Sequence, residues 1–88
     1  MAGAHYNLGF ALSKTGRRKQ AISSYKQALL LKPDFAEAHH NLAILYLEQG
    51  ERALALEQYS LLKSIDYELA QKLFAIIYRD KIVNVGGR

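Results

Sequence analysis

Three histidines, His5, His39 and His40, are by type the side chains of this 88-residue chain best suited to metal binding or proton transfer. Their spacing suits neither. His39 and His40 are neighbours, so on a helix they point about 100° apart instead of sharing a face. His5 and His39 stand one repeat apart in the pattern described below, and that equivalence reads as structural packing. The carboxylates Asp34, Glu37, Asp66 and Glu68 sit where helices are expected to begin. Negative charge there complements the helix dipole, so capping explains them better than acid–base chemistry does. No Ser, His and Asp arrangement can be argued, and with no cysteine there is no thiol nucleophile, thiolate metal site or disulfide. The glycines mark helix ends, a close-packing point and the last residues, not a G-x4-G-K-[ST] phosphate loop after a strand. The reading is of a protein that is not an enzyme and uses no cofactor or metal.

Net charge is +4, and its densest run is Arg17-Arg18-Lys19. Cations are mildly unfavourable at a helix start, so the run reads as a solvated corner or a partner contact. Reading RNA one base per repeat would need polar, basic groove-facing helices, whereas the third helix offers Glu37, His40, Ile44 and Glu48. Nucleic acid is therefore a distant alternative. No apolar run approaches the roughly 18 residues that span a bilayer. The N-terminus has no basic leader followed by a longer apolar stretch, so no signal peptide is expected and the default location is cytoplasmic.

The element that positions everything else is Pro33–Gly50, which reads as a helix with both ends written in. Pro33 cannot continue a preceding helix, Asp34 can cap the next one with Glu37 completing a capping box, and Gly50 supplies a left-handed stop. Shifting the chain by 34 residues superimposes Ala2, Ala4, His5, Asn7, Leu8, Gly16, Arg18, Ala21 and Tyr25 on identical residues. The period predicts stacked helical hairpins. Helix one is expected over about 2–14 with Ala4, Leu8, Ala11 and Leu12 inward. Helix two is expected over about 17–31, with Ala21, Ile22, Tyr25, Ala28 and Leu29 inward. Helix three buries Ala38, Leu42, Leu45 and Tyr46, and helix four, over about 51–64, buries Ala55, Leu56, Tyr59 and Leu62. Small residues at Gly9, Ala21, Ala43 and Ala55 let paired helices approach beside Tyr25 and Tyr59.

These residues resemble the tetratricopeptide repeat pattern, W-x2-L-G-x2-Y, then A-x3-F, then P. The first unit matches through His5, Leu8, Gly9, Leu12, Ala21, Tyr25 and Pro33; the second through His39, Leu42, Ala43, Tyr46, Ala55 and Tyr59. Both put His at the aromatic start, and the second has Tyr67 where Pro is usual. The resemblance implies an all-α, right-handed solenoid: one domain, 1–88, with repeats at about 2–34 and 35–68. Asp66 can cap a fifth helix over about 67–83, followed by a flexible tail at 84–88. That helix carries one stripe, Leu69, Leu73, Ile76 and Ile77, for the second hairpin. A second stripe, Phe74, Tyr78, Ile82 and Val85, has no partner and offers a self-association surface.

In such proteins the first helix of each hairpin lines a concave groove that receives peptides or helices. Carrying the period through three such helices gives two ladders, Tyr6, His40, Phe74 and Phe10, Ile44, Tyr78. Asn7 and Asn41 lie beside them, where family members with an asparagine ladder hold a guest backbone; bonding within the array is the alternative. Members that clamp an acidic C-terminus use Lys, Asn and Arg at positions that are here Tyr6, Phe10, Asn41, Gln71 and Ala75, of which only Asn41 matches. The expected function is therefore a protein–protein interaction scaffold with an apolar or amphipathic guest. The partner is another protein or, in a homo-oligomerising assembly, a second copy of the chain.

Overall fold

The computed structural model describes residues 1–86, with side chains through Arg79. Its five α-helices are α1 (Ala2–Lys14), α2 (Arg18–Leu31), α3 (Ala36–Glu48), α4 (Arg52–Lys63) and α5 (Tyr67–Gly86). Helices α1 and α3 stop where a glycine can turn left. Gly16 and Gly50 adopt φ of 79° and 80°. The amides that follow reach back in the same way, Arg17 N to Leu12 O at 2.9 Å and Glu51 N to Tyr46 O at 2.8 Å. Two carbonyls that a helix end would orphan are thus satisfied by matching turns, and each folds the next helix back antiparallel.

The joints between hairpins differ, and the difference corrects one expectation. Asp34 does not cap α3: the N-cap is Phe35, with no side-chain cap bond. Pro33 has no N–H and a fixed φ. Phe35 N bonds to Lys32 O at 3.1 Å, so a turn occupies the place of a first helical turn and the helix starts beyond Asp34. At the equivalent joint Tyr67 replaces the proline and the helix begins at once. There Leu69 N donates to Asp66 Oδ1 at 3.0 Å, the expected cap. Helix α5 continues to Gly86 instead of ending near 83, so residues 84–86, expected in a tail, belong to the helix.

Packing follows the order of the chain, α1 on α2, α2 on α3, α3 on α4, with α5 against α3 and α4. The core runs through Tyr25, Leu42, Leu62, Leu73 and Ile77, all fully buried. Each such side chain contributes roughly 2 kcal/mol of transfer free energy. The expected inward set of α3 is buried, and so is that of α2 except Leu29, which is half-buried; in α4 only Ala55 and Leu62 are fully buried. Helix α1 departs from its expected set. Ala4 and Ala11 are exposed, Leu8 is 51% exposed, Leu12 is half-buried, and the one buried residue is Gly9. The reason is positional. Their counterparts Ala38, Leu42 and Leu45 are shielded by the preceding hairpin, and α1 has none before it among the described residues. Burial of that face belongs to the interface between repeats, not to the repeat.

Candidate functional site

Helices α1 and α3 bring Phe10 and Ile44 together, and α5 sets Phe74 beside Tyr78. Between α1 and α3 lies an open hollow of about 230 Å³, with Phe10 and Ile44 as apolar lining, Ser13 and Asn41 as polar lining, and Lys14 and Glu48 at the charged end. Phe10 is 47% exposed and Phe74, on α5, is 42% exposed. Phe74 packs tilted against Tyr78, with ring centroids 4.6 Å apart, and against Tyr59 at 5.4 Å. Ile44 and Tyr78 are half-buried. Phe10 and Phe74 thus keep apolar surface toward solvent, while Ile44 and Tyr78 pack partly against the core. Ile82 and Val85, expected to extend the α5 stripe, lie outside the described side chains.

The other ladder is largely engaged within the chain. Tyr6 stacks on Phe35 at 4.8 Å and tilts against Tyr25 at 5.6 Å. Asn41 Nδ2 donates to the Tyr6 hydroxyl at 3.1 Å and to the Tyr25 hydroxyl at 3.3 Å, and Asn41 Oδ1 lies 3.4 Å from His40 Nδ1. The amide protons that the resemblance assigned to a guest backbone are used to join the two hairpins. Asn7 is exposed. His40 Nε2 is buried with no hydrogen-bond partner among the described residues. Burial pushes the Tyr25 phenol above its ordinary value of 10.0, and the Asn41 and Ser13 side chains only partly counter it. Tyr25 therefore stays neutral where a free tyrosine would ionise.

His39 is a structural clip. Its Nε2–H donates to the Pro33 carbonyl at 2.7 Å, and Nδ1 meets the Gln58 side-chain amide at 2.6 Å. The ring ties the joint before α3 to α4, a polar task in a place where an aromatic filler was expected.

Sequence reasoning placed Glu48 on the groove side of the third helix but missed Lys14 and the ion pair at that end of the hollow. Lys14 Nζ lies 5.1 Å from the centroid of the Phe10 ring, and Glu48 pairs with Arg18 at 3.1 Å. The period contained the signal, because Lys14 and Glu48 occupy equivalent positions one turn beyond the Phe10, Ile44 ladder. Phe35 was missed as well, since its ring is turned toward Tyr6 by the irregular Lys32–Phe35 joint and not by the repeat. All three residues of the basic run are exposed, and Arg18 alone of them pairs with Glu48.

A second hollow, of about 490 Å³, lies on the other side of α3 between α2 and α4, where Leu29, Leu30, Leu42 and Leu61 form its apolar walls. Among the described residues no helix is long and apolar enough to cross a membrane.

Residues 14–50, which span α2, α3 and the turn before each, match the family described as TPR repeat. The photosystem I assembly protein Ycf3 of Cyanophora paradoxa is 33% identical over 69 residues, 78% of this chain and 35% of that protein. The peroxisomal targeting signal receptor of Kluyveromyces lactis is 44% identical over 43 residues, 49% of this chain and 8% of the receptor. The crystal structure of MamA superimposes with a TM-score of 0.82 at 29% identity, over 92% of this chain and 48% of that one. The chain spans about a third of the length of the Ycf3 relatives first matched.

Proposed function

The chain belongs to the tetratricopeptide repeat family, and we propose that it recruits another protein by receiving an apolar or amphipathic helix in its concave groove. The observation that carries this reading is the hollow between α1 and α3 floored by Phe10 and Ile44, with Phe10 and, on α5, Phe74 exposed to solvent. Contiguous apolar surface on a small domain marks a contact site. The hollow between α1 and α3 holds a guest side chain; at about 230 Å³ it falls below the usual range for small-molecule pockets. With the Asn41 amide already donating to two tyrosines, an extended guest would find few backbone partners. A helix satisfies its own backbone and needs only apolar anchors at i, i+3 and i+4. The names of the relatives, an assembly protein and a targeting signal receptor, agree with recruitment in place of chemistry.

Peptide display against the wild-type chain, followed by titration of the selected sequences, tests the reading. Selected peptides are expected to carry apolar residues at helical spacing, to bind with Kd on the order of micromolar, and to weaken at least about tenfold with Ile44→Asp or Phe10→Asp. Equal binding to the two variants, or selection of acidic tails, removes the groove as the site.

Self-assembly through α5 is the second reading, favoured by the exposure of Phe74 beside Tyr78. Sedimentation of the wild type beside Phe74→Asp and Tyr78→Asp decides it. A wild type monomeric at high concentration ends this reading, and a dimer split by folded variants gives it priority over recruitment.

A further inference from the structure

The hollow on the far side of α3 from the groove has rims that no contact within the described chain explains. It holds about 490 Å³ between α2 and α4, over a floor that includes the fully buried Leu42. Leu30 on the α2 wall is 74% exposed and Leu61 on the α4 wall is 51% exposed. Each leucine has a charge one turn before it on its own helix. Lys26 stands four residues before Leu30 and Glu57 four residues before Leu61, and both are exposed. Residues four apart share a helix face. The two walls therefore carry one pattern with opposite charge. It does not come from the repeat, because one period after Lys26 and Leu30 stand Ser60 and Ser64. We propose that this face pairs with the same face of a second copy about a two-fold axis, Lys26 and Leu30 of each copy meeting Glu57 and Leu61 of the other.

The occupant follows from the exposures and the charges. A small molecule seated in the hollow would leave the rim leucines wet, whereas a protein surface covers them. A foreign helix would need a carboxylate toward α2 and a cation toward α4 at matching spacing; a second copy brings both. Helices α2 and α4 each follow a short reversal of the chain or precede one into α3, so they run in the same sense on either side of it. A two-fold axis parallel to them lays the α2 of each copy along the α4 of the other, and an isologous contact makes each residue pair twice. Because the face lies across α3 from the groove, both grooves stay open in the pair. On the groove reading of function, on which only this consequence rests, the pair is a bivalent scaffold that brings two guests together.

Sedimentation equilibrium of the full chain with no guest present tests the pairing separately from the groove. The wild type is expected to dimerise with Kd on the order of 100 micromolar, the weak end that suits a face two helices wide. Leu30→Asp is expected to weaken pairing at least about tenfold, with helix content by circular dichroism unchanged because Leu30 is exposed. Lys26→Glu and Glu57→Lys are each expected to weaken it about tenfold by setting like charges opposite one another. An equimolar mixture of those two variants is expected to regain the wild-type affinity, since every contact in the mixed pair again joins opposite charges. A wild type that stays monomeric at millimolar concentration, a dimer indifferent to Leu30→Asp, or a mixture that pairs no better than its two components overturns the proposal.

Discussion

The two hairpins are built from closely matching residues and hold together differently. In the first, Gly9 lies under Tyr25, whose ring carbons are 3.0 Å from where a Cβ would stand, and Tyr25 is 1% exposed. In the second, Ala43 occupies the Gly9 position and Tyr59 is only half-buried. The first tyrosine has Tyr6 on one side and the Asn41 amide on the other. The second has Phe74 of α5 and the Lys63 ammonium, 5.5 Å from its ring. A repeat position is thus an invitation to pack, and its strength is set by the neighbour that arrives. The same lesson holds for Leu8 and Leu42, identical residues on opposite sides of burial.

That last pair predicts the largest effect. Leu42→Ala is expected to cost about 3 kcal/mol, as buried leucine truncations do, whereas Leu8→Ala is expected to cost under about 1 kcal/mol. Urea unfolding of the two variants measures this, and similar losses would mean that α1's outward face is covered after all.

Next comes the tyrosine pair. Tyr25→Phe removes an acceptor of Asn41 and is expected to cost about 1 to 2 kcal/mol, against under about 0.5 kcal/mol for Tyr59→Phe. Tyr25 also sets an alkaline limit. Its folded form holds the proton more tightly than the unfolded chain, so its contribution is complete below pH 10.0, the ordinary tyrosine value, and declines above it as the unfolded phenol ionises first. Chemical denaturation from pH 8 upward is expected to show that decline in the wild type and less of it in Tyr25→Phe.

The smallest effect separates the two joints. Asp66→Ala is expected to cost about 1 kcal/mol by removing the cap of α5, and Asp34→Ala about zero, since Asp34 caps nothing. Equal losses would restore the capping box to α3.

Much of the fold was legible because the 34-residue period, the glycine stops and the apolar spacing of α2, α3 and α5 are local properties of the chain. One step of the expected ladders was legible for the same reason: Phe10 and Ile44, one period apart on successive first helices, line the same hollow. Three features were not. The Lys32–Phe35 turn displaces the start of α3 through a single backbone bond, which no capping pattern encodes. The charged end of the hollow lay within the period, but only the geometry shows Lys14 over Phe10 and Glu48 held by Arg18. The direction of the Asn41 amide depends on two tyrosines brought to it from α1 and α2.

Sequence alone determined that this protein is a run of helical hairpins and which residues stand one period apart, because periodicity and turn chemistry act within a few residues. Tertiary structure decided which of those equivalent residues are used up and which stay open. An asparagine, a leucine or a tyrosine acquires its partner only when the next hairpin docks, and the first helix, with nothing docked before it in the described structure, keeps the same residues facing water.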